Sequence, residues 1–200
     1  FHKPTTFNHV LRGDRTLEEA THFHESGMKV LPASLSLSDL DGVDIFHVKD
    51  RVSKLKEQND FVLLDSAPGL GRESMGTLKA VDEVLFVTTP NILAITDVIR
   101  TNEVCQELGI KNLGIVLNMV HKDKYEISRK DVEQITGMQV IASIPYHSDV
   151  RKALAAKKPL VLLHPKTKIS REISKISSII AKEPYVQQKS FFDQLAFWKK

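Results

Sequence analysis

A chain of 200 residues can hold one domain with a real core, and its 42% hydrophobic and 26% charged content is ordinary for a globular protein. One cysteine, Cys105, excludes a disulfide framework and a cysteine-rich metal site, and no apolar run approaches the roughly 18 residues that mark a transmembrane helix. The net charge of +3 is uneven: residues 151–200 carry 12 Lys/Arg against 3 Asp/Glu, and residues 1–150 carry 16 against 22. A basic quarter behind an acidic body suggests an anionic partner, against the plainer reading of a solvated lysine-rich surface.

The chain opens on Phe1 without an apolar signal-peptide core. It has no initiator methionine, and the expectation is an N-terminally incomplete sequence. Strand-like runs follow in order: MKVLPA (28–33), FVLLDS (61–66), EVLFVTT (83–89), LGIVLNMV (113–120), QVIASIP (139–145) and PLVLLH (159–164). Most are continuous rather than alternating, as strands covered on both faces should be. Between them lie helix-period segments at 48–58, at 96–108 (with a cap at Thr96 or a neighbour and a stop at Gly109), and at 128–137 with Ser128 as N-cap. In 169–181, Ile169, Ile173, Ile176 and Ile180 recur on one stripe of a docked helix. Alternating strands and helices predict an α/β fold with a mostly parallel, doubly wound sheet. A polar stretch with a proline at 182–189 reads as a linker.

Ligands of open α/β sheets bind at the carboxyl ends of the strands. Three ends here carry chemistry: Asp65, Asn118 and Pro145. A buried-type strand ending in aspartate is a Walker B pattern, whose carboxylate holds Mg²⁺ through a water. Gly69, four residues on, offers a backbone N–H to a terminal phosphate with no Cβ in the way. Asn118 can present a donor and an acceptor to a purine edge, and Pro145 with the backbone after it can wall the base. The pair His22 and His24 beside Glu25 suggests a metal only against the plainer reading of a polar helix end, and Cys105 reads as core.

The segments LLDSAPGLGRES, VTTPNILAITDVIRT, GIVLNMV and IASIPYHSDVRKALAAKKPLV resemble the MinD branch of the MinD/ParA deviant Walker A ATPases, closest to archaeal-type members. The resemblance runs from about residue 10 to 181. It implies a P-loop α/β sheet, with 1–181 as the ATPase domain. It implies Asp65 as the Walker B carboxylate for Mg²⁺, Gly69 in switch II, Asn118 reading adenine, and Pro145, Tyr146, His147 and Val150 in the stretch flanking the base. It further implies ATP hydrolysis, a homodimer around two nucleotides, and spatial organisation at a membrane, such as division-site placement. The sequence departs from the pattern in several places. The K-G-G-x-G-K-[ST] motif, its preceding strand and the switch I aspartate are absent from these 200 residues, so the fragment alone is expected not to hydrolyse ATP. His147 replaces an acidic residue common in relatives, SAPGLG permutes the commoner PAG order, and Asn91 stands where many relatives have glutamate.

The last eleven residues, SFFDQLAFWKK (190–200), place Phe191, Leu195 and Trp198 on one helical stripe with Phe192 at its edge and Lys199 and Lys200 behind. That pattern reads as an interfacial anchor for an anionic membrane, with the alternative of a helix packed on the domain or on a partner. The expected location is the cytoplasm and the inner face of the cell membrane, without specific nucleic-acid binding and with an unnamed protein adaptor or client. Two other readings stand beside this one. One is a ParA-like positioner on DNA, and the other is a non-enzymatic scaffold without the P-loop.

Overall fold

The structure, a computed structural model, describes residues 5–33 and 48–185. It divides into two units, Phe1–Asp82 with Cys105–Ile110, and Glu83–Val104 with Lys111–Lys200.

The first unit begins with two short helices, α1 (Phe7–Arg12) and α2 (Leu17–Ala20). A capping box fixes the start of α2: the Glu19 N–H donates to Thr16 Oγ1 at 3.2 Å, and the Thr16 N–H donates to the Glu19 carboxylate at 2.8 Å. The run at 28–33 does not join a parallel sheet. Only Lys29–Val30 (β2) is strand, paired antiparallel with His22–Phe23 (β1). Five residues separate the two strands, enough for a hairpin and far short of the dozen or so a parallel crossover needs. Helix α3 (Val48–Lys56) buries Val48 and Val52, which cluster with Ala80, and Phe7, Leu11, Val62 and Leu64 pack against that cluster.

The run at 61–66 also departs from expectation, because it forms no ladder among the described residues. Val62 and Leu64 are half-buried on the α3 cluster, whereas Phe61 is 56% and Leu63 76% exposed. An unpaired extended segment has only one side to bury, so alternate residues stay in solvent. Helix α4 (Arg72–Leu78) follows.

In the second unit, β3 (Glu83–Thr88), β4 (Lys111–Val120) and β5 (Val140–Pro145) form a parallel sheet in that order. Helices α5 (Ile92–Glu107, whose residues from Cys105 on belong to the first unit), α6 (Arg129–Thr136), α7 (Ser148–Ala155), α8 (Leu160–Leu163) and α9 (Lys168–Ala181) connect or follow the strands. The result is the expected α/β arrangement, a parallel sheet flanked by helices. Ile115, Val116, Leu117, Val140 and Ala142 are at most 2% exposed and make its centre. Ser128 caps α6 by accepting from the Asp131 N–H. Helix α5 begins earlier than Thr96: the Asn91 side chain accepts from the Ala94 N–H at 3.0 Å, and the Thr96 hydroxyl donates back to the Ile92 carbonyl. Asparagine outcompetes the later threonine because it stands at the true turn out of β3.

The run at 159–164 is helix and not strand. His164 N–H reaches the Leu160 carbonyl at 2.7 Å, and Leu160 buries with Ala153 and Ile169. A four-residue apolar run signals burial and does not by itself distinguish helix from strand. The stripe of α9 holds as expected at its start, with Ile169 buried and Ile173 packed on the same cluster.

Two details fix the register. Gly114 sits at φ 117 inside β4, and a Cβ there would lie 2.7 Å from the Gln139 carbonyl oxygen, so only glycine fits. That carbonyl faces β4 and accepts from the Ile115 N–H at 2.8 Å. The N–H and C=O of Val140 therefore point away from β4. Both are taken by α6: the Val140 N–H donates to the Glu133 carboxylate at 2.9 Å, and the Arg129 guanidinium donates to the Val140 carbonyl.

Candidate functional site

Strands β4 and β5 end side by side. Val120 and Pro145 are register partners, and the Tyr146 N–H donates to the Val120 carbonyl at 3.0 Å. This pairing brings Asn118, Pro145 and Tyr146 to one rim at the carboxyl end of the sheet. Asn118 is half-buried, and its amide oxygen accepts from the Met119 N–H at 2.9 Å. Among the described residues its NH₂ has no partner, which leaves a donor pair for a ligand edge. Met119 stands at φ 57, a left-handed kink at the irregularity of the β4–β5 ladder between Leu117 and Val120.

His147 and Val150 open α7. His147 is its N-cap, and its Nδ1 accepts from the Asp149 N–H at 3.2 Å. The Lys152 ammonium, 3.0 Å from Asp149, holds that carboxyl below the usual range, and the nearby His147 and His164 act in the same sense. Val150 is 37% and Tyr146 46% exposed, so both offer apolar surface to a ligand.

Two residues beyond those expected from the sequence shape this rim. The His121 ring stacks on Tyr146, with centroids 4.6 Å apart. Glu126 receives the His121 and Lys122 N–H groups, both at 2.7 Å, one on each carboxylate oxygen. The only sequence signal for either was polarity in a loop after a strand, which is too general to single them out.

The other expected residues lie in the first unit. Asp65 is exposed at the end of the 61–66 segment, and no hydrogen bond or ion pair engages its carboxylate among the described residues. Gly69 bends the chain at φ 77, a conformation that glycine adopts without cost. The turn is tied down by Ser74, 3% exposed, whose hydroxyl donates to the Ala67 carbonyl at 3.0 Å. No group of three or more metal-ligating side chains occurs among the described residues. A lone free carboxylate suits Mg²⁺, which keeps most of its waters and takes one or two protein oxygens. Phe191, Phe192, Leu195, Trp198, Lys199 and Lys200 lie outside the described residues.

Known proteins resemble this chain over most of its length. The ParA family model, described as NUBPL iron-transfer P-loop NTPase, matches residues 52–181. An uncharacterized ATP-binding protein of Methanocaldococcus jannaschii is 30% identical over 201 residues, covering 96% of this chain and 76% of the relative. The crystal structure of the Pyrococcus furiosus cell division ATPase MinD superposes with a TM-score of 0.84 at 26% identity, covering 90% of this chain and 77% of that one. The septum site-determining protein MinD of Pyrococcus horikoshii, solved with Mg-ADP, gives 0.83 at 25% identity, with 88% and 73% covered. On the parallel sheet, the strand-end residues and these matches, the chain belongs to the ParA/MinD family of P-loop NTPases, in its MinD-like branch.

Proposed function

We propose that this MinD-like P-loop ATPase binds ATP with Mg²⁺, dimerises around the nucleotide and associates reversibly with the inner face of the cell membrane, in the service of spatial organisation such as division-site placement. One observation carries the nucleotide half: Asn118 and the Pro145–Val150 stretch meet at the carboxyl ends of adjacent parallel strands. The Asn118 NH₂ is the donor to the base edge, and Pro145 with Tyr146 forms the wall. The Mg-ADP in the Pyrococcus horikoshii relative supports the same ligand class. Asp65 is the residue that would hold Mg²⁺ through water, and a bound Mg²⁺ neutralises phosphate charge. Gly69 gives the backbone close access to a terminal phosphate.

Turnover needs a phosphate-binding lysine motif that these 200 residues do not contain. The test is therefore made on the chain preceded by a K-G-G-x-G-K-[ST] segment. Asn118→Ala should weaken ATP binding by about 1–3 kcal/mol and relax discrimination against GTP. Unchanged affinity for both nucleotides would reject the base site. The membrane half rests on the aromatic stripe and terminal lysines of 190–200, and Phe191→Asp with Trp198→Asp should release the ATP-bound protein from anionic vesicles.

A further inference from the structure

The turn between α7 and α8 puts leucines into solvent among exposed cations. Ala153 and Leu160 face inward and bury with Ile169. The residues that face the other way are Leu154, 73% exposed, and Leu162, 55% exposed. Lys157, at φ 52, closes the turn by donating its N–H to the Leu154 carbonyl at 3.0 Å, and Lys158 donates to the Ala153 carbonyl at 3.1 Å. Two exposed leucines are thereby held on either side of two exposed lysines. Arg151 and Lys166 flank them, and none of these four cations has an ion pair among the described residues. The local carboxylates are few and engaged: Asp149 pairs with Lys152, and Glu172 pairs with Lys175. From 151 to 185 the chain carries 9 Lys/Arg against 2 Asp/Glu.

We infer that this turn is a second membrane-contacting surface, built into the folded body, which takes anionic lipid headgroups on its cations and dips Leu154 and Leu162 into the interface. Cations alone would suit a nucleic-acid backbone as well. The leucines decide between the two, because a phosphate backbone gives an exposed leucine nothing to bury against, whereas a lipid interface accepts both groups at once. The surface extends the membrane half of the reading above and does not depend on residues 190–200. Lysines near an anionic leaflet each strengthen binding about fivefold, so the turn acts as an auxiliary contact and not as a sole anchor.

The experiment is sedimentation of the full chain with vesicles of phosphatidylcholine and 30% phosphatidylglycerol, and with pure phosphatidylcholine, in a two-by-two design. Body variants are Lys157→Gln with Lys158→Gln, and separately Leu154→Ser with Leu162→Ser. The tail variant is Phe191→Asp with Trp198→Asp. All four body positions are exposed, so thermal unfolding should match the parent and serves as the folding control. In the tail-variant background, residual binding to anionic vesicles is expected, absent on neutral ones and reduced roughly tenfold or more by the lysine pair. The leucine pair should reduce it as well. Anionic binding that the body variants leave unchanged overturns the inference and leaves the tail reading intact. Binding lost with the body variants and kept with the tail variant overturns the tail reading alone. Retention of duplex DNA by these lysines, with no vesicle binding in the tail variant, makes the surface a nucleic-acid one and also overturns the inference.

Discussion

The rings of His121 and Tyr146 lie nearly parallel, 21° apart, and join the exit of β4 to the exit of β5. The Tyr146 N–H donates to the Val120 carbonyl, one residue before His121, so backbone and side chain fix the same junction. Tyr146→Leu keeps the hydrogen bond and an apolar body but loses the ring pair. It should cost about 0.5–1.5 kcal/mol of stability, measured by urea denaturation. If His121→Ala and Tyr146→Leu together cost the sum of the two single changes, the rings do not interact.

Gly114→Ala should be among the most damaging single changes. The added methyl meets the Gln139 carbonyl and the Ile141 methyl at 2.7 and 2.8 Å, and alanine is strained at φ 117 besides. A loss of about 2–4 kcal/mol is expected, read as a lowered denaturation midpoint. A change below 0.5 kcal/mol, by an order-of-magnitude standard for surface sites, would show that β4 relaxes freely there.

Burial pushes the Cys105 thiol above its ordinary pKa, and the residue is 0% exposed. Thiolate is the reactive form, so iodoacetamide at mildly alkaline pH should label the native protein slowly and the denatured protein completely. Rapid native labelling would mean that this region opens readily.

Glu83 is held below the usual carboxylate range, chiefly by its hydrogen bond from Lys111 at 2.7 Å, with Lys182 adding to the effect. A lowered folded pKa stabilises the protein above the ordinary glutamate value, near about 4.3, and that contribution fades as the pH falls through the lower folded value. Lys111→Met should therefore lower stability by about 1 kcal/mol or less at neutral pH. The difference from the parent should shrink in acid. A gap that persists or widens below the ordinary glutamate range would assign the effect to packing of the lysine stem.

The three parallel strands were legible because continuous apolar runs bounded by turn residues encode burial on two faces. The cap at Ser128 was legible because it acts within four residues. The segment 61–66 reads as strand from composition, yet ladder formation depends on a partner that local sequence does not name. PLVLLH failed for a related reason, since Leu160–Leu163 buries its side chains equally well as one helical turn. Asn118 and Pro145 were legible because each closes a continuous apolar run at the strand end where an open α/β sheet binds its ligands. Glu126 was not, because its role arises only in the folded loop, where its two carboxylate oxygens meet the consecutive N–H groups of His121 and Lys122.

The Arg129 and Glu133 side chains on Val140 have a consequence for assembly. A sheet edge with free N–H and C=O groups is a template on which another chain can zip as an added strand. At Val140 that template is interrupted, since both groups already have charged partners from the same chain. A second chain that lengthened the sheet here would first have to break both charge-assisted contacts on that edge of the valine. Growth by strand addition at β5 is thereby disfavoured, and self-association is steered toward surfaces that match through side chains, where recognition can be selective and reversible.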